Sequence, residues 1–199
     1  MNLNLRLKSV SDKKQLANII DYCGAMRIVF FREQPYCYAG SFEYEKEYLS
    51  FYTREQLSLV VVAEIDSDII GIATGIPFLT LAHFFGNIQE QYETLNININ
   101  KVFYIGDVIV KPEHRGKGLA SKLLSLIYEF ALSQGFTKIS VCTGVQLIES
   151  VHSKSVEKLL NKEGFLDQNL VIINEFPTVQ MDGSIAIENH QLKFWIRDI

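Results

Sequence analysis

The segment VFYIGDVIVKPEHRGKGLASKLLSLIYEFALSQGFTKISVCTG, residues 102–144, constrains this chain more than any other. Its first nine residues are apolar, aromatic and β-branched around a single acid, which reads as a buried strand. Pro112, Gly116 and Gly118 then enforce a turn. Beyond it, Leu119, Leu123, Leu124, Ile127, Phe130 and Ala131 recur at helical spacing. Gly135 stands where a helix-ending glycine belongs, and KISVCTG is the next strand. A glycine turn that opens a helix leaves backbone N–H groups unsatisfied at the positive end of the helix dipole. Glycines let an anion approach that backbone closely, and Lys111, Arg115, Lys117 and Lys122 add positive charge. The pattern predicts a phosphate-holding turn over residues 115–120. The plain alternative is a surface turn with solvated lysines.

Three phosphate motifs compete for this turn. A P-loop needs G-x-x-x-x-G-K-[ST], a spacing absent from the chain. GKGLAS half-matches the dinucleotide fingerprint G-x-G-x-x-G, but Ser121 replaces the third glycine. No acid ends the strand KISVCTG either. RGKGLA satisfies the third, R/Q-x-x-G-x-G/A, through Arg115, Gly118 and Ala120, after the strand end VIVKP and before a long apolar helix. In this the chain resembles the GNAT N-acetyltransferase family, most strongly over residues 102–165.

The resemblance implies a single-domain α/β fold over residues 1–199. Its mixed, mostly antiparallel sheet is splayed at the cofactor strand and flanked by helices. It also implies an enzyme that moves an acetyl group from acetyl-CoA to a primary amine by direct attack, without a metal. The coenzyme A pyrophosphate would sit on the turn formed by Arg115, Gly116, Lys117, Gly118, Leu119, Ala120 and Ser121. The backbone of Val108, Ile109 and Val110 would contact the thioester and pantetheine. The family's usual proton donor is a tyrosine four residues before the GF that ends the following helix. Here that position is Leu160, and the N-x-x-A that usually opens the helix is changed to Ser153 and Val156. This departure leaves a second reading open, a coenzyme A-binding regulatory domain without catalysis.

Acetyl transfer needs a base for the amine, stabilisation of the developing oxyanion and a proton for the leaving sulfur. Asp107 is the one acid in its apolar strand and is the candidate base; the alternative is a structural pairing with a basic residue. Tyr104, on the same strand, is the candidate proton donor, with core packing as its alternative. FFREQPYCYAGSFEYEKEYL, residues 30–49, interleaves Tyr36, Tyr38, Tyr44 and Tyr48 with Glu33, Glu43, Glu45 and Glu47. Aromatic faces and carboxylates suit a cationic amine, so Glu33, Tyr36 and Tyr38 are assigned to the acceptor. The same pattern also describes an amphipathic helix with a solvated charged face.

Elsewhere the patterns are ordinary. Leu3, Leu5 and Leu7 alternate in a half-buried strand, and a helix follows with Leu16, Ile19, Ile20 and Cys23 on one face. SFEYEKEYLSFYT is a second helix. LSLVVVAEIDSDIIGIATGIPFL is a hairpin turning at DSD. Residues 80–100 begin as a helix and end as a loop or a strand entry. VHSKSVEKLLNKEGF is a helix stopped by Gly164, and LVIINEFPTVQ and HQLKFWIRD are two closing strands. Hydrophobic residues make up 48% of the 199, enough for a substantial core. A net charge of −4 argues against nucleic acid and allows a cationic small-molecule or peptide amine.

No apolar run is long enough to span a bilayer, and the alternating N-terminus does not read as a signal peptide. The expectation is a cytoplasmic protein with no membrane partner, and the resemblance allows a homodimer. Cys23, Cys37 and Cys142 match neither a zinc nor a disulfide pattern, and the four histidines lack metal spacing. Cys142 reads as a buried small hydrophobe.

Overall fold

The computed structural model describes residues 4–33, 36–145 and 151–199, with the side chains of residues 151–154 outside the description. Seven strands form one sheet, in the order β1-β2-β3-β4-β5-β7-β6. They are β1 Leu5–Val10, β2 Leu59–Ile65, β3 Asp68–Pro77, β4 Val102–Val110, β5 Lys138–Gly144, β6 Leu166–Val179 and β7 Ile185–Asp198. The β4–β5 pair is parallel and every other pair is antiparallel. Parallel neighbours need a crossover, and the helix predicted after the glycine turn supplies it.

Helices α1 (Lys13–Phe31) and α2 (Phe42–Arg54) cover one face, joined by the short α3 (Phe78–Leu81) and α4 (Ile88–Thr94). On that side Leu16, Cys23, Leu49, Tyr52, Phe78 and Tyr92 pack into one core. Helices α5 (Leu119–Ser133) and α6 (Val151–Lys162) cover the other face. There Leu123, Leu124, Ile127 and Ala131 meet Phe103, Ile139 and Phe165 in a second core. The apolar stripes of α1 and α5 are therefore buried as their periodicity predicts. Asp12 and Ser41 cap α1 and α2 through their side chains. Among the described residues no helix is long and apolar enough to cross a membrane.

Two expectations need correction. Leu5 and Leu7 are exposed and only Val10 is buried in β1, because this edge strand lies past the cover of the helices; Leu3 lies outside the described residues. The closing strands are also longer than their apolar runs, since backbone pairing continues through polar residues to a turn at Met181–Ser184.

Candidate active site

Strand β4 carries one residue more than its partner. Ile105 pairs with Gly75 and Asp107 with Thr74, so Gly106 bulges out of the β3–β4 ladder. The extra residue inverts the alternation. Before it, Tyr104 packs in the core under α1 and α2; after it, Ile109 does, while Val108 and Val110 turn toward α5. Asp107 therefore reaches the α1–α2 side. Glycine is required at the bulge: a Cβ on Gly106 would stand 2.1 Å from the Tyr52 hydroxyl oxygen and 2.9 Å from Thr74 Oγ1.

Past the bulge the sheet opens. The β4–β5 ladder ends at Ile105–Val141, and β5 continues with β7 alone through Gly144. Residues 106–110 of β4 thus have no strand on their β5 side. A cleft of about 570 Å³ fills this gap, with the main chain of β4 on one wall and Val141, Cys142 and Thr143 on the other. It runs to the glycine turn and the start of α5, and Val156, Leu159 and Leu160 of α6 close one side.

At the turn, Gly116 and Gly118 have φ of +73° and +75°, with open space where a side chain would be. Gly118 is the N-cap of α5, and no side chain caps that helix. The N–H groups of Gly116, Lys117 and Gly118 have no protein acceptor among the described residues, and the first N–H groups of α5 lack one by helix geometry. These donors and the helix dipole fit a phosphate group. Arg115 does not reach over the turn: its Nε donates to Val110 O at 2.9 Å and its guanidinium lies 5.9 Å from the Phe30 ring centre.

Asp107 is held by two donors. Thr74 Oγ1 donates to its Oδ2 at 3.0 Å, and Arg27 Nη1 donates to its Oδ1. Arg27 Nε also donates to Glu45 Oε2 at 2.5 Å, and the Tyr38 hydroxyl donates to Glu45 Oε1 at 2.8 Å. The guanidinium lies 4.5 Å from the Tyr48 ring centre. Burial acts to push Arg27 down, but Asp107, Tyr48 and Glu45 outweigh it and hold the guanidinium well above its ordinary range. One permanent cation therefore neutralises part of a buried pair of carboxylates beside the bulge.

The residues singled out from sequence divide here. Val108, Ile109, Val110, Arg115, Gly116, Gly118, Leu119, Ala120 and Ser121 line the cleft, and so do Asp107, Glu33 and Tyr36. Lys117 turns away, its Nζ donating to Glu113 O at 2.8 Å. Tyr104 lies behind the cleft wall, stacked on Phe78, with its hydroxyl 2.9 Å from Cys142 Sγ. Tyr38 is buried against Phe176 and spent on Glu45. Tyr44 and Tyr48 stack on each other along α2. Cys142 is half-buried in the cleft wall, because the splay uncovers it. The side chain of Ser153 lies outside the described residues. Among the described residues no group of three or more His, Cys, Asp or Glu could hold a metal ion.

Arg27 and Thr74 went unnoticed in sequence. Arg27 did leave a signal, since it falls four residues after Cys23 on the apolar stripe of α1. A charge on such a stripe demands a buried partner. Thr74 left none.

The model of the acetyltransferase (GNAT) family matches residues 26–152. No curated protein sequence matches significantly. Solved structures share the fold at low identity. An N-acetyltransferase from Staphylococcus aureus Mu50 superposes with a TM-score of 0.60 at 18% identity, over 98% of each chain. A ribosomal-protein-alanine N-acetyltransferase from Brucella melitensis gives 0.57 at 17% identity, over 98% of this chain and 99% of that one. YncA from Salmonella typhimurium, solved with its cofactor acetyl-CoA, gives 0.56 at 20% identity, over 100% and 94%.

Proposed function

The chain belongs to the acetyltransferase (GNAT) family, and on that premise we propose that its cleft brings acetyl-CoA and a primary amine together for direct transfer. One observation carries the reading. The unpaired edge of β4, residues 106–110, leads directly to an uncapped helix start on two left-handed glycines. An extended, hydrogen-bonding arm ending in a diphosphate matches both parts of that groove.

The N–H groups of residues 116–121 would hold the pyrophosphate, and the main chain of Val108 and Val110 would pair with the pantetheine arm. When bound, the thioester supplies the acetyl group and the leaving thiol. Backbone N–H near Val108 would stabilise the developing oxyanion, an interaction worth about 3–4 kcal/mol. Asp107 would take the amine proton through a water molecule. Arg27 and Thr74 each donate to one of its oxygens, and because the side chain is fully buried that water would have to enter from the cleft. Glu33 at the cleft rim would favour a cationic acceptor. The apolar Leu160 in the cleft wall supports the rival reading, a domain that binds coenzyme A without turnover.

Thermal melts with acetyl-CoA, coenzyme A, NAD and ATP test the cofactor. At about 100 times its Kd a ligand adds about 2.7 kcal/mol, so acetyl-CoA and coenzyme A should raise Tm while NAD and ATP leave it unchanged. Gly118→Glu should abolish the response by filling the cradle and forcing a side chain into a left-handed backbone. A shift with NAD or ATP alone would overturn the reading. Thiol release in an amine screen then separates the enzyme from a binding domain.

A further inference from the structure

We propose that the outer edge of β6 joins the same edge of a second copy of this chain, with residues 170–176 pairing antiparallel about Ile173. The inference does not depend on the acetyl-transfer reading above.

Strand β6 ends the sheet and is hydrogen-bonded along one side to β7. Pairing on its other side is brief. The Ala39 N–H donates to Pro177 O at 2.8 Å, and the Val179 N–H donates to Cys37 O at 2.7 Å. Alternate residues of a strand aim their backbone groups the same way. Val171, Ile173 and Glu175 therefore direct N–H and C=O outward, as Pro177 and Val179 do. Among the described residues no strand meets them there. The Glu175 N–H is held by the adjacent Asn174 Oδ1 at 3.0 Å. Such a row of donors and acceptors is a template for another strand.

The open row has defined ends. Before it, the β6–β7 register slips at Gln168 and Asn169, where Asn169 has a φ of +53°, and pairing resumes at Leu170. After it, residues 37–39 occupy the edge from Pro177 onward. Ile173 is the midpoint of what remains. A stretch bounded in this way matches itself about a two-fold axis, as an isologous contact requires. Ile173 then faces the partner's Ile173, and Val171 faces the partner's Glu175. Each outward N–H meets a carbonyl across the axis.

The side chains agree with this register. Leu170 and Ile172 point into the core under α1 and α2, so Val171 and Ile173 point to the opposite face. They are 46% and 68% exposed, and pairing would shelter apolar surface that water now covers. Glu175 is the one charge in the stretch. Its two copies would lie about 13 Å apart, beyond the Debye length of about 8 Å. Lys193 flanks Val171 in β7. It would stand two strand spacings, about 10 Å, from the partner's Glu175 on the same face, with the opposite sign.

Mass in solution tests the contact. Sedimentation equilibrium from about 1 μM to about 100 μM should show the mass rising from the 22.7 kDa of one chain toward twice that. Ile173→Pro removes the central outward N–H, which the β7 ladder does not use, and should leave a monomer. Ile173→Lys sets like charges face to face and should do the same, which keeps the test available if proline misfolds the hairpin. Val171→Lys should tighten the dimer about fivefold at low salt, because its charge meets the partner's Glu175. Ile187→Lys, on the same sheet face but in β7 opposite Pro177, should leave the dimer unchanged. A monomer at every concentration overturns the proposal. So does a dimer that survives both Ile173 substitutions or dissociates with Ile187→Lys, since its contact would lie elsewhere. No tightening by Val171→Lys overturns the register about Ile173.

Discussion

Arg27 illustrates how one side chain sets the terms for its neighbours. It stands between Asp107 and Glu45, two carboxylates that are both buried and would repel each other without it. Removing one partner of a buried pair typically costs about 3–5 kcal/mol, because the remaining charge stays desolvated. Arg27→Met should therefore lower stability in urea unfolding by about that much. Asp107→Asn should cost less, since Arg27 keeps Glu45. The double variant should cost clearly less than the two singles together, by about 1 kcal/mol or more. Additive losses would mean that the pair carries no coupling. Half of this cluster was legible. Asp107 is conspicuous in its apolar strand and Arg27 interrupts an apolar stripe, but no local pattern ties residues 80 positions apart.

Among the elements, β4 matters most, and its bulge does more than its composition. The run VFYIGDVIV reads as a plain strand in which Tyr104 and Asp107 face opposite sides. One inserted residue brings them to the same side and aims Asp107 at α1. Tyr52, Tyr48 and Thr74 converge on the space above Gly106 that any side chain would need. Gly106→Ala should destabilise by at least about 1–3 kcal/mol, the usual cost of overpacking a core. Tyr52→Phe, which removes the nearest atom, should recover part of it. Equal melting temperatures for wild type and Gly106→Ala would show that the bulge relaxes freely. A lone glycine in a strand hints at a bulge, yet its consequence depends on which residues crowd it.

Across the whole molecule, the hairpin of β6 and β7 closes the sheet and carries a pH-dependent element. His190 stacks on Phe176 with ring centres 3.5 Å apart, and its Nε2 lies 2.7 Å from Thr178 Oγ1. Burial lowers its pKa below 6.5, and Glu188 opposes this in part. The unfolded chain thus binds this proton more readily than the folded one. The contribution of His190 is full above pH 6.5 and is lost as pH falls through the lowered folded value. Melting temperature should drop on acidification through that window, and His190→Phe should flatten the drop. An unchanged acid profile in the variant would assign it to the carboxylates.

The sequence by itself determined the parts that depend on neighbours along the chain. The helix stripes of α1 and α5 and the glycine turn follow from residues a few positions apart, and so does the element order, whereas the facing of β1 and of β4 past its bulge does not. Membership in the acetyltransferase family is carried by the same short-range pattern. Only the tertiary structure decided what the site contains. It buried Tyr38 against Glu45, placed Tyr104 behind Cys142, paired Asp107 with Arg27, and left Tyr36 facing the groove. The physical reason is that backbone propensity and periodicity act locally, whereas a side chain's charge, exposure and partner are set by whatever the packed sheet brings against it.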